Sequence, residues 1–148
     1  MLVFLGGFMS DMTGTKATAL AAWAAERGRA ATLFDYSGHG ASDGAFTDGT
    51  ISRWLADARA VFDAFCRGPT VVVGSSMGAW IALLLVRGLR AEDADTAAER
   101  VPGLVLVAPA PDFTERLMWP SIPEEGRRAI MERGPCDLHR LTFRIVVS

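Results

Sequence analysis

The chain has 148 residues, half of them hydrophobic, with 15 basic and 17 acidic side chains and a net charge of −2. This balance excludes a nucleic-acid-binding surface and an acidic tail. The longest apolar run, residues 79–86, is too short for a membrane span. Cys66 and Cys136 lack metal or redox spacing, so we expect reduced thiols in a cytoplasmic protein.

Predicted strands and helices alternate along the chain. Apolar runs without polar alternation predict buried strands at residues 2–5, 31–34, 71–73 and 104–107. Helical spacing or capping signals predict helices at residues 13–27, residues 51–65 and a segment that starts near residue 77. The charged segment 92–100 is predicted to be a loop. This order predicts an α/β fold with a doubly wound, mainly parallel sheet, whose sites lie at the carboxyl ends of the strands.

A serine between small residues follows the third strand. Ser76 stands in the pattern G-x-S-x-G, with Gly74 and Gly78 on either side, between a buried strand and an apolar helix. Such a strand-to-helix turn is sharp enough to expose the serine hydroxyl, and it leaves no room for a Cβ two residues before or after. The pattern therefore predicts that Ser76 is a nucleophile.

Acyl transfer through a serine also needs two backbone N–H groups aimed at the developing oxyanion. The residue after the nucleophile, Met77, provides one of them at the start of a helix. We assign the other to Phe8, because Gly6 and Gly7 let the backbone approach a ligand at the end of the first strand. The alternative is a simple tight turn. Both donors require the strands that begin at Leu2 and Val71 to be neighbours.

His39 lies before the serine, whereas α/β-hydrolases place the histidine after it. Glycines on both sides predict a turn, with Asp35 hydrogen-bonded to the loop. We therefore expect a structural role for His39.

Together these motifs resemble the α/β-hydrolase superfamily, in the branch of bacterial carboxylesterases and a mitochondrial acyl-protein thioesterase. The resemblance is carried by FLGGFMSDMTGTK (residues 4–16), FDYSGHGAS (34–42), GSSMG (74–78) and APAPDF (108–113). It implies a serine hydrolase without cofactor or metal that cleaves small acyl esters or thioesters. It also implies an incomplete hydrolase core at residues 1–111 and the start of a helical lid at residues 112–134.

The family pattern ends near Gly134, and residues 135–148 form an atypical tail that we attribute to a shifted reading frame. The acid and histidine that complete the family's catalytic triad are not found. The substitute set is His139 with Asp112 or Asp137. The alternative function is a non-catalytic remnant of the fold, whose bare sheet edges favour self-association.

Overall fold

The structure, a computed structural model, describes residues 1–133. The chain divides into two compact units, Met1–Pro111 and a second unit that begins at Asp112. The predicted tail lies outside the described residues, and so do Cys136, Asp137 and His139.

Four parallel strands form the sheet of the first unit. They are β1 (Leu2–Leu5), β2 (Ala31–Leu33), β3 (Val71–Ser75) and β4 (Gly103–Val107). Their order is β2-β1-β3-β4, and Leu2 pairs with Val71. The predicted parallel α/β sheet is confirmed, as is the predicted pairing of the strands that begin at Leu2 and Val71. Because the strands are parallel, the loops after β1, β3 and β4 emerge at one edge of the sheet.

Helices connect the strands in the first unit. They are α1 (Thr15–Glu26), α2 (Ile51–Phe65), α3 (Met77–Glu92) and α4 (Ala94–Arg100), with a 3-10 turn at Phe46–Asp48. On one face of the sheet, Ala17 of α1 packs with Phe4 and Val73 in the core. Side chains alternate along a strand, so Val72 points to the other face. Val72 is fully buried.

The segment 92–100, predicted to be a loop, contains helix α4, and that prediction is wrong. Asp93 caps the helix by accepting hydrogen bonds from the N–H groups of Asp95 (3.0 Å) and Thr96 (3.1 Å). At the other end, the Arg100 guanidinium donates to Asp63 (2.9 Å) on α2. The many charged residues of this segment favour a loop, but the capping residue and one ion pair stabilise a helix.

Strand β4 leaves an apolar surface partly uncovered. Among residues 1–133, β2 and β4 are the outer strands of the sheet. The side chains of Val105 and Val107 are 48% and 40% exposed, although strands of a parallel sheet are normally covered on both faces. Self-association through these edges stays a prediction.

The second unit is helical as far as it is described. It contains a π-helical turn at Thr114–Met118, a short helix α5 (Trp119–Ser121) and a longer helix α6 (Glu124–Arg133). Pro123 lies between the two α-helices and precedes the first turn of α6, where a missing N–H costs little. That this unit is the start of a lid stays a prediction. Over residues 1–133, every helix is too short or too polar to cross a membrane.

Candidate active site

Backbone strain is concentrated at the carboxyl edge of the sheet. Three non-glycine residues with positive φ follow three neighbouring strands: Met9 (57°) after β1, Ser76 (54°) after β3 and Ala108 (44°) after β4. Positive φ is uncommon outside glycine and persists only where the surrounding structure enforces it. This edge is therefore the first candidate for a functional site.

Ser76 is the single residue between β3 and α3, with φ 54° and ψ −118°. Its N–H donates to the carbonyl of Val107 (2.9 Å), and its own carbonyl accepts from the N–H groups of Ala79 (3.0 Å) and Ala110 (3.4 Å). These bonds hold the backbone from both sides. The hydroxyl does not cap the helix, and no hydrogen bond to it is found within residues 1–133. No group of the described chain thus occupies this hydroxyl, as a nucleophile requires.

The two glycines around Ser76 stand where backbone segments touch. A Cβ on Gly78 would lie 2.1 Å from the carbonyl oxygen of Leu5 and 2.4 Å from that of Gly6. A Cβ on Gly74 would lie 2.5 Å from the carbonyl oxygen of Gly78. All three obstacles are backbone atoms, which cannot rotate away. Only glycine fits either position without moving β1 or the first turn of α3.

The loop after β1 passes beside the serine. A Cβ on Gly7 would lie 3.5 Å from Cβ of Ser76, so the backbone that leads to Phe8 runs next to this side chain. The Phe8 ring contacts Phe46 edge-on (centroids 5.1 Å apart) and Trp54 (6.0 Å). These two aromatic neighbours were not expected from the sequence. Phe46 lies within the turn-rich stretch 35–48 and Trp54 on the apolar face of α2, and neither position identifies Phe8 as a partner.

His39 lies in its own turn, as the sequence predicts. The residue is 4% exposed, its Nδ1 is 3.4 Å from the carbonyl oxygen of Ser37, and its ring contacts those of Phe46 and Trp54 edge-on. Within residues 1–133, no hydrogen bond joins a histidine to Ser76. Tyr36 packs against the same ring, and burial raises the pKa of its hydroxyl, which stays protonated.

Asp35 ties two loops of the site together. Its Oδ1 accepts the N–H of Met12 (2.7 Å) and its Oδ2 accepts the N–H of Ala41 (3.0 Å). Its carbonyl also accepts from the Ser42 hydroxyl (2.7 Å). One carboxylate thus links the loop after β1, which carries Phe8, to the loop after β2.

Replacing Asp35 by alanine should lower the free energy of unfolding by about 1–3 kcal/mol, because two backbone N–H groups lose a charged acceptor. Urea denaturation of the wild type and the variant measures this difference. Asp43→Ala is the matched control, because the Asp43 carboxylate makes no hydrogen bond within residues 1–133. Equal stability of the two variants would show that the Asp35 carboxylate does not hold the loops.

Of the substitute triad residues, only Asp112 lies within the described chain, so the set stays a prediction. Asp112 belongs to the second unit, where its carboxylate is 51% exposed and 3.9 Å from Arg116. Among residues 1–133, no hydrogen bond joins Asp112 to a histidine. The other two members of the substitute set, Asp137 and His139, lie outside the described residues.

Comparison with known proteins agrees with this fold. Residues 1–132 match the family model described as serine aminopeptidase, S33. Solved structures of α/β-hydrolases superpose on most of the chain. The chain therefore belongs to the α/β-hydrolase superfamily, in the branch that contains the thioesterase ABHD10.

The particular relatives are bacterial and mammalian. A protein described as a hydrolase, from Agrobacterium vitis S4, is 50% identical with a TM-score of 0.80, over 90% of this chain and 50% of that one. Mouse α/β-hydrolase domain-containing protein 10 is 32% identical with a TM-score of 0.70. Human palmitoyl-protein thioesterase ABHD10, mitochondrial, is 34% identical over 133 residues, which are 90% of this chain and 40% of that protein. The chain thus spans less than half the length of its curated relatives.

The predicted cytoplasmic location is contradicted by these relatives. Proteins 32–36% identical to the chain are named as mitochondrial. The prediction rested on isolated cysteines, and Cys66 is indeed free and buried. A reduced, buried thiol indicates only the lack of a disulfide, which does not distinguish one reducing compartment from another.

Proposed function

We propose that the protein is a serine hydrolase that cleaves carboxylic esters or thioesters through an acyl-serine intermediate. The observation that carries this proposal is the strained Ser76 turn between β3 and α3, with its hydroxyl unused by the helix and its flanking glycines in backbone contact. This is the geometry that a nucleophilic serine needs at the carboxyl edge of an α/β sheet.

In this mechanism the Ser76 hydroxyl attacks the acyl carbonyl carbon, and the carbonyl oxygen becomes an oxyanion. The N–H of Met77 opens helix α3, where the helix dipole favours negative charge. The N–H of Phe8 is the second donor, on the loop that passes beside Ser76. Collapse of the intermediate expels the alcohol or thiol, and water then releases the acid from the serine. Removal of one such N–H donor typically costs about 10²–10³ in rate.

The proton of the hydroxyl must go to a base, because serine is a weak nucleophile at neutral pH. We assign this role to a histidine outside residues 1–133. His139, with Asp112 or Asp137, is the set that this chain offers. A longer form of the protein, extended to the length of the relatives, is the form in which we expect full activity.

The relatives support acyl thioesters as the substrate class. ABHD10 is named a palmitoyl-protein thioesterase. A thiolate is a better leaving group than an alkoxide, so a site that depends mainly on its oxyanion donors should act on thioesters and activated esters first. We therefore propose small acyl thioesters and aryl esters as the first substrates to test.

Labelling with a fluorophosphonate probe tests the proposal, since the probe reacts with activated serines. We expect a covalent adduct on Ser76, located by mass spectrometry of the digested 148-residue chain. The reaction should be slow, because N–H donors and binding without a triad leave about 10³–10⁴ over the uncatalysed rate. Absence of an adduct on Ser76, both in this chain and in a form extended to the full length of a relative, would instead support the non-catalytic remnant.

A further inference from the structure

A cavity of about 170 Å³ lies between the loop after β1, the first turn of α1 and the end of β3. Its floor is buried and includes Phe4, Ala17 and Ser75, whereas its rim is exposed and includes Ser10 and Lys16. Pockets for whole ligands usually measure about 300–1,000 Å³. This one therefore suits a single chemical group rather than a complete drug-sized molecule.

The floor of the cavity includes a serine, Ser75, whose hydroxyl has no hydrogen-bond partner among the described protein groups. Ser75 is 4% exposed, and no hydrogen bond to its hydroxyl is found within residues 1–133. Side chains two apart on a strand share a face, so Ser75 points to the same side as Val73, which packs against Ala17 of α1. That side is where the cavity lies. Since Ser75 lines the cavity, a group bound there can accept a hydrogen bond from this hydroxyl.

The walls of the cavity favour negative charge. Helix α1 begins there, its cap Gly14 offers no side-chain acceptor, and its first turn has no acidic residue. The first N–H groups of a helix attract anions. Lys16, the only lysine beside fourteen arginines, stands in this first turn and forms no ion pair within residues 1–133.

One rim residue acts in the opposite direction. Asp11 lines the cavity, and hydrogen bonds from Thr13 hold the pKa of its carboxyl below the usual value. It therefore stays ionised at neutral pH and opposes an anion. Its Oδ1 accepts from both the N–H and the hydroxyl of Thr13, which keeps this carboxylate occupied at its own turn.

We propose that this cavity binds a small oxyanion, a carboxylate or a phosphate group, between the Ser75 hydroxyl, the first turn of α1 and Lys16. The site adjoins the reacting serine: Oγ of Ser10 and Cβ of Ser76 both lie 3.5 Å from the point that a Cβ on Gly7 would occupy. The oxyanion is either a group carried by the substrate or a free ion. The first of these sources rests on the proposed function, and the second does not.

Binding of phosphate to the 148-residue chain tests whether the cavity takes an oxyanion, whichever its source. Inorganic phosphate is titrated at constant ionic strength, and the amide NMR signals of residues 14–17 are followed. We expect saturable shifts. Lys16→Gln should weaken binding at least about five-fold, because it removes a charged partner, and Asp11→Asn should tighten it about three-fold, because it removes like charge.

Arg29→Gln is the matched control, since it removes a positive charge away from the cavity, and it should leave the affinity unchanged. Ser75→Ala should weaken binding about three-fold, by loss of one hydrogen bond. If Ser75→Ala does not fold, the effects of Lys16→Gln and Asp11→Asn on phosphate affinity decide whether the proposal stands. Absence of saturable shifts, or equal effects of Lys16→Gln and Arg29→Gln, overturns the proposal.

A kinetic arm distinguishes the two sources. Hydrolysis of 4-nitrophenyl acetate is compared with that of the mono-4-nitrophenyl ester of succinate, which carries a free carboxylate. A KM that rises in Lys16→Gln for the charged ester alone assigns the site to a substrate group. Phosphate binding without any change in KM assigns it to a free ion. If the chain joined to the carboxyl-terminal half of the Agrobacterium vitis relative hydrolyses neither ester, the proposed function fails, while the phosphate titration still decides the oxyanion site.

Discussion

Ser76→Ala is expected to abolish ester hydrolysis. The measurement uses the chain joined to the carboxyl-terminal half of the Agrobacterium vitis relative, so that a complete hydrolase fold surrounds the serine. We expect kcat/KM for 4-nitrophenyl acetate to fall by about 10³ or more, because nucleophile and base act as one unit. The N–H groups proposed for Phe8 and Met77 cannot compensate, since without the serine no enzyme oxygen attacks the carbonyl carbon to form the oxyanion that they would stabilise.

The control for this prediction is Ser52→Ala, which removes a hydroxyl from the exposed face of α2 and should leave the rate unchanged. The thermal midpoint of Ser76→Ala should also stay close to that of the wild type, because the Ser76 hydroxyl makes no hydrogen bond within residues 1–133. Retention of full esterase activity in Ser76→Ala would refute the serine-hydrolase mechanism.

Gly78→Ala is expected to destabilise the first unit by about 3 kcal/mol or more, at the upper end of overpacking effects. Its new methyl group would lie 2.1 Å from the carbonyl oxygen of Leu5, so either β1 or the first turn of α3 must move. Urea denaturation measures the loss. Gly74→Ala should have a similar effect, because its Cβ would lie 2.6 Å from Cα of Ala79.

Helix α3 provides a matched control in Gly88, whose Cβ would meet nothing within 4 Å. Gly88→Ala should raise the free energy of unfolding by about 0.5–1 kcal/mol, because alanine loses less conformational entropy than glycine in a helix. The two substitutions are chemically identical and lie in the same helix. If Gly78→Ala and Gly88→Ala changed the free energy of unfolding equally, the close contact between α3 and the end of β1 would be refuted.

Much of the fold follows from local pattern. The apolar run that begins at Val71 and the periodicity of residues 51–65 correspond to β3 and α2 with little change in bounds. Ser76 could be singled out because a strand, a small-residue turn and a helix are consecutive in the chain. The charged segment 92–100 resembles a loop, but Asp93 caps helix α4 through hydrogen bonds that span at most three positions.

By itself, the sequence determined the order of strands and helices, the parallel sheet and the turn that carries Ser76, because each depends on neighbours within a few residues. The tertiary structure alone decided which distant groups meet. It brings Phe8 against Trp54, joins Asp35 to the N–H of Met12, and places Ser75 and the first turn of α1 around one cavity. These contacts link residues 23 to 60 positions apart. Their partners are selected by how helices pack on the two faces of the sheet, and no local pattern of residues records that choice.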